Sequence, residues 1–304
     1  MMNALLKIVF CLGILGLSAS AKSFKDCCQS FLDELKKKSE AAVLLCSLNN
    51  QSFVPLPFGK HCNCKTLKTE LQERWDGFYK LCRPMAKRKQ QCSNAKSIII
   101  TKRSTVDYAI SQGAPQMKEV TTCFWVKTKQ VTGYPHYISY AVPLAINQII
   151  IEGMENLRLL IVHYGSDPTK VSSSSHNIKI NDGRWHHICM TWQSKDGGYS
   201  FFKDGRKVGS GTISGSVGKP IPGQGTWVLG QDQDSVGGGF NANQSATGEF
   251  TGVNIWDKVL SSFEILKMSI NCNAGGPAGN VKNWADFLSG IKGNAKIGKA
   301  TCCH

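Results

Sequence analysis

The sequence predicts a mainly β protein: a two-sheet antiparallel sandwich with one short helix, preceded by a small disulfide-stapled helical region. Three observations carry that prediction. From about Ser97 onward the chain is a series of short β-branched and aromatic runs, punctuated by Gly and Asp and without alternating helices. That is the pattern of packed sheets, not of βαβ units. Lys203-Asp204-Gly205-Arg206 sets an Asp-Gly between two such runs, which specifies a tight hairpin. Before Ser97 the apolar residues recur at helical spacing among cysteines.

Taken in order, Lys7 precedes the apolar run Ile8 to Leu17, and Ser18-Ala19-Ser20-Ala21 supplies small residues for cleavage. Residues 1–21 therefore read as a secretory signal peptide, too short to span a bilayer. No other apolar run reaches transmembrane length, so a secreted, extracellular protein without a membrane span is expected. Of 13 cysteines, Cys11 lies in the signal and twelve remain. In an oxidising compartment such a set implies disulfides. Seven of the twelve precede residue 100 and five follow it. Either one bridge joins the two regions, or each holds a cysteine for a neighbouring chain.

Residues 22–95 form the Cys-rich basic region. Ser23 to Leu45 is built from good helix formers and ends before Asn49-Asn50. A loop with Pro55, Pro57 and Gly59 carries His61-Cys62-Asn63-Cys64, where disulfides are expected rather than zinc. Leu67, Leu71, Trp75, Phe78, Cys82 and Met85 then mark one face of an amphipathic helix, read as one arm of a stapled hairpin rather than a coiled coil. Arg83, Lys87, Arg88 and Lys89 close it, cations at a helix C-terminus and a candidate polyanion-binding face. From Lys22 to Arg103 there are 17 Lys/Arg against 7 Asp/Glu, so most of the net charge of +15 sits here. Such a surplus on a secreted protein favours sulfated glycans or anionic surfaces and argues against nucleic acid as partner.

Residues 96–304 form the β-sandwich. Expected strands cover residues 97–101, 121–126, 136–142, 149–151, 157–163, 185–193, 199–203, 226–229 and 248–256. One helix fits Ser261 to Met268, with Ser261 or Ser262 as cap and Glu264 in its first turn. Asn50-Gln51-Ser52 and Asn243-Gln244-Ser245 are glycosylation acceptors at Asn50 and Asn243.

The stretch Leu229 to Gln244 carries the chemistry. Asp232 and Asp234 lie two residues apart, three glycines follow, and then come the side-chain amides Asn241, Asn243 and Gln244. Alternating oxygens ahead of a flexible turn suit calcium, which takes about 6–8 oxygen ligands in loose geometry.

A family comes into view at His187-Ile188-Cys189-Met190-Thr191-Trp192-Gln193-Ser194. Its H-x-C-x-[ST]-W-x-S spacing resembles the pentraxin signature, and Asp182-Gly183-Arg184-Trp185-His186 resembles the wider laminin-G-like sandwiches. The resemblance extends from about Ser97 to the C-terminus, and the plan with an N-terminal segment is similar to that of the long pentraxins. It implies a jelly roll, assembly into a cyclic homo-oligomer, and a calcium-dependent ligand face. The family's buried inter-sheet disulfide falls on Cys123 and Cys189, and His187 beside it reads as structural. Cys272 with Cys302 or Cys303 resembles a terminal bridge of the neuronal pentraxins.

Carried over position by position, the family's calcium ligands fall on Asp232, Gln233 through its main-chain carbonyl, Asp234, Asn241, Gln244 and Asn147. Asn241 stands where a second acid is usual, and Ile146 replaces an aspartate beside Asn147. Two carboxylates remain where the family places four, which leaves one weakly held calcium ion or none. The phenylalanine of the family's choline pocket falls on Glu152, so phosphocholine specificity is not expected.

Two functions follow. The first is a secreted recognition or scaffolding protein binding glycans or extracellular proteins; the second is a structural or adhesive matrix protein binding polyanions without calcium. An enzyme is not expected. No G-x-S-x-G, H-E-x-x-H or P-loop occurs, and the two loop carboxylates belong to the metal reading.

Overall fold

In the computed structural model of the protein, residues 95–300 are described apart from 144, 154–155, 162–173 and 270–276, together with 53–55 and 61–63. The chain divides into two units, Met1–Gln90 and Gln91–His304. Within the first, β1 (Phe53–Pro55) pairs antiparallel with β2 (His61–Asn63), setting Val54 opposite Cys62 where a loop was expected. The expected helices over 23–45 and 67–92, Asn50, the cluster from Arg83 to Lys89, and Cys272, Cys302 and Cys303 lie outside the described residues.

The second unit opens with β3 (Lys96–Ile100), β4 (Tyr108–Gln112), β5 (Glu119–Lys127), β6 (His136–Val142), β7 (Ala145–Glu152), β8 (Leu157–Leu160) and β9 (Ser174–His176). It continues with β10 (Trp185–Gln193), β11 (Gly198–Lys203), β12 (Arg206–Thr212), β13 (Thr226–Leu229), β14 (Gly248–Trp256), β15 (Ile291–Lys292) and β16 (Lys296–Lys299). Among the described residues two sheets of seven strands result, ordered β12-β11-β10-β5-β14-β3-β16 and β15-β4-β13-β6-β7-β8-β9. Every ladder between named strands is antiparallel. At the expected hairpin, Asp204 and Gly205 both take positive φ, 54° and 82°, as a type I′ turn between β11 and β12 requires. The strands that sequence reading omitted are short or polar: β4, β9, β15 and β16 offer no run of alternating apolar residues.

Period-2 alternation sorts the side chains. Along β10, Ile188, Met190 and Trp192 enter the main core; along β5, Phe124 and Val126 do the same. They meet Tyr137, Ile149, Ile151 and Trp227 from the facing sheet. Trp192 is fully buried and donates its indole N–H to Ser216 Oγ at 3.0 Å, which satisfies its one polar group. Trp192→Ala should cost about 3–5 kcal/mol. The check is a lower urea midpoint with an unchanged slope.

The opposite face of the same strands explains why β10 is buried from Trp185 to Trp192. Cys123, Cys189, Phe202 and Trp256 form a second cluster with Leu260, Ile265 and Met268. The last two come from α1 (Ser262–Ser269), which lies over that face. Its start is a reciprocal cap: Ser261 Oγ accepts from Glu264 N–H at 3.2 Å, and Ser261 N–H donates to Glu264 Oε2 at 2.7 Å. A second helix, α2 (Trp284–Ser289), opens with the Asn283–Asp286 version of the same device.

Cys123 and Cys189 are bonded, but the bridge is not inter-sheet. They are direct cross-strand partners on β5 and β10, adjacent in one sheet. The disulfide therefore staples one ladder beneath α1. His187, also buried, has its Nε2 3.7 Å from Cys189 Sγ and packs its ring at a tilt against Trp125, with centroids 5.0 Å apart. The two sulfurs beside it are consumed by the disulfide, which leaves no thiolate pair to hold a metal there.

Candidate functional site

The loop after β13 is braced by alternate residues. Gln231 and Gln233 are fully buried and turn their side chains inward. Gln231 Nε2 donates to the Ser104 and Asp107 carbonyls at 2.7 and 3.2 Å. Gln233 Nε2 donates to Ser139 Oγ at 3.0 Å and to the Thr226 carbonyl at 3.1 Å, while its Oε1 accepts from Gly237 N–H at 2.9 Å. Asp232, between them, and Asp234, which follows, line an open cleft of ≈ 630 Å³. Gly239, at φ 69°, lets the chain fold back over them; a Cβ there would lie 2.8 Å from Asp234 Cβ.

Asp232 is 4% exposed. Its Oδ2 accepts from Gln244 Nε2 at 2.9 Å and lies 3.7 Å from His136 Nε2. Its Oδ1 is buried and has no hydrogen-bond partner among the described residues, and the same holds for Asn147 Oδ1. Burial, together with the Asp234 and Glu152 carboxylates, pushes the Asp232 carboxyl above its ordinary range. The cleft thus holds two oxygens without a hydrogen-bond partner among the described residues and a carboxylate whose charge His136 offsets only in part, the features a cation would satisfy. Asp234, Asn147, Asn241 and Gln244 line the same cleft. Gln233 can contribute only through its main chain, since its amide is spent on the loop. Asn241 Oδ1 accepts from Asn243 N–H at 2.9 Å and caps the 3₁₀ turn Ala242–Gln244, so this neutral oxygen already has a structural use.

Beside this set stands a second one that motif reading missed. His136 on β6 faces Glu152 on β7 in register, and Glu152 faces Arg158 on β8. His136 Nδ1 donates to the Tyr134 carbonyl at 2.7 Å, and Nε2 meets Glu152 Oε2 at 2.8 Å. Arg158 Nε donates to Glu152 Oε1 at 2.7 Å, with its NH2 on the same oxygen. Burial works to lower the His136 pKa, but the Glu152 and Asp232 carboxylates outweigh it and hold the imidazole above its ordinary range. Burial likewise works to raise Glu152, yet His136 and Arg158 hold that carboxyl below its ordinary range. Glu152 is therefore an anchor for two cations and not a free acceptor. The signal in the sequence was the β6–β7–β8 register, which no short motif encodes.

Glu152→Gln leaves two cationic partners short of a charge and should cost about 1–3 kcal/mol in chelator-treated protein. Because the Glu152 carboxyl sits below its unfolded value, the stability it contributes is present above pH 4.5 and lost as pH falls. The variant should show a flatter acid limb in stability against pH.

Comparison with known proteins agrees with this architecture. The profile of the Pentaxin family matches residues 96–298. Human neuronal pentraxin-1 is 31% identical over 284 residues, covering 91% of this chain and 61% of the human protein. A rat protein with sushi, von Willebrand factor type A, EGF and pentraxin domains is 37% identical over 194 residues, 62% of this chain and 5% of its own length. The chain thus spans less than two thirds of these relatives. Among solved structures, the native heptameric SAP-like pentraxin of Limulus polyphemus superposes with a TM-score of 0.58 at 24% identity, over 69% of this chain and 97% of the other.

Proposed function

The chain belongs to the pentraxin family, and from that premise we propose that it is a secreted recognition or scaffolding protein whose ligand face is the cleft of Asp232 and Asn147. Two buried oxygens in one cleft, Asp232 Oδ1 and Asn147 Oδ1, neither with a hydrogen-bond partner among the described residues, carry this reading. Asp232, Asp234, Asn147 and the Gln233 main-chain carbonyl would hold one calcium ion, with Gln244 orienting Asp232. Such an ion, when bound, lends two positive charges that attract hydroxyl, carboxylate or phosphate oxygens of a ligand. With two ionised loop carboxylates and two neutral oxygens, affinity falls toward ~10⁻⁴–10⁻³ M, the range of weak extracellular sites.

The ligand wall departs from a choline cradle. Glu152 is 6% exposed and engaged by His136 and Arg158, so it is not available to a quaternary ammonium group. Glycans and extracellular proteins are the partners that fit, and phosphocholine should bind no better than phosphate alone in competition. As a binding protein of this family, the chain has no need of a catalytic pair.

The same reading extends along the rest of the chain. Residues 1–21 are the signal, 22–95 an assembly region with Arg83, Lys87, Arg88 and Lys89 as its polyanion face, and 96–304 the ligand-binding domain. Cys272 and Cys302 form a terminal bridge, Asn50 carries a glycan, and the protein is a cyclic homo-oligomer.

A second reading is favoured by one observation: the His136–Glu152–Arg158 network closes on itself without an ion. On that reading the protein adheres to polyanions through its basic region and calcium is dispensable. Elution from an immobilised glycan resin and from heparin separates the two. Release by chelator supports the first; release by salt alone, with chelator inert, supports the second.

A further inference from the structure

Asn243 stands at the rim of the cleft, in the 3₁₀ turn that follows the loop glycines. Its main-chain N–H donates to Asn241 Oδ1 at 2.9 Å, its carbonyl accepts from Tyr134 N–H at 2.7 Å, and its Oδ1 accepts from Arg103 NH1 at 3.1 Å. Every polar group of this exposed residue is engaged except Nδ2, which has no partner among the described residues. Nδ2 is also the atom that the sequence Asn243-Gln244-Ser245 marks as a glycan acceptor. An N-linked sugar leaves Oδ1 free to accept a hydrogen bond, so the Arg103 contact survives the modification. Ser245 is wholly buried, its hydroxyl donating to the Ala242 carbonyl at 2.9 Å and accepting from Ser104 N–H at 3.2 Å. The acceptor sequence is therefore readable only before folding, and folding then fixes where the sugar points.

We infer that Asn243 carries an N-linked glycan that roofs the ligand cleft. The inference rests on the reading of the protein as secreted. The donor is an oligosaccharide on a lipid pyrophosphate. A bond forms from Nδ2 to the first sugar's anomeric carbon as its bond to the pyrophosphate oxygen breaks. The pyrophosphate leaves with the electron pair, and the proton lost from Nδ2 balances the step. Rooted at the rim on an asparagine that Arg103 and Tyr134 hold in place, the glycan limits the cleft to ligands that enter past it. It thereby selects slender chain ends over bulky polymer surfaces.

The full chain, secreted from a eukaryotic host making high-mannose glycans, tests this by peptide mass spectrometry and by binding to agarose beads. The expected result is a glycan on the Asn243 peptide and an N-terminus at Lys22. Trimming with an endoglycosidase to the first sugar should raise chelator-releasable binding to the beads severalfold and leave calcium affinity in solution unchanged. A bare Asn243 on a chain that begins at Lys22 overturns the glycan while secretion stands. A chain that still begins at Met1 overturns both. A glycosylated Asn243 whose trimming leaves bead binding unchanged overturns the roofing role.

Discussion

Replacing Cys123 and Cys189 together by alanine should lower the stability of the sandwich by ~4 kcal/mol, the chain-entropy cost for a loop of this length. The two cysteines are 66 residues apart in sequence and directly opposed on β5 and β10. Most of the loss arises in the unfolded state, where the bridge removes conformations that the reduced chain regains. A smaller part arises in the folded state, where the sulfurs pack with Phe202, Trp256, Ile265 and Met268 beneath α1. Urea unfolding of the double variant should show a lower midpoint, and reductant should shift the parent toward it. A variant as stable as the parent would mean that the β5–β10 ladder and the cover of α1 hold the sheet unaided.

Asp232→Asn should remove the calcium response and leave the fold intact. Asparagine keeps the volume and an acceptor for Gln244 Nε2, which donates to Asp232 Oδ2 at 2.9 Å. It deletes the one buried carboxylate in the cleft whose charge no cation fully offsets. Loss of that charge should weaken calcium binding about tenfold or more. The sign of the pKa shift adds a second readout. A carboxyl raised above its ordinary range resists ionisation in the folded protein, so its charge at neutral pH opposes folding. Chelator-treated Asp232→Asn should therefore be at least as stable as the parent. Added calcium should raise the thermal midpoint of the parent and not that of the variant, because only a folded state that binds the ion is stabilised by it. A variant that unfolds at room temperature would show instead that Asp232 is a structural residue of the loop.

The sandwich was legible because its strands are apolar on both faces or alternate cleanly. Runs such as 185–193 and 248–256 announce themselves by β-branched and aromatic content. What escaped was set by pairing and not by local composition. The disulfide partners follow from the family resemblance, but their placement within one sheet depends on β5 and β10 being neighbours. In the same way Asp232, Asp234 and Gln244 stand in a readable loop, whereas His136, Glu152 and Arg158 lie on three strands and meet only through register. Glu152 was visible as a departure from an apolar pocket, yet its two cationic partners were not. Asn241 was read as a weakened ligand, and its hydrogen bond to Asn243 N–H shows a further use, closing the turn that carries Gln244.

The central claim is that the cleft keeps the ligands for one ion and lacks the charge for two. Calorimetric titration of chelator-stripped protein with calcium tests it most directly. One site per chain, with an affinity of ~10⁻⁴–10⁻³ M, is the predicted result. Two tight sites per chain would contradict it, since Asp232 and Asp234 could not then be the only carboxylates holding them.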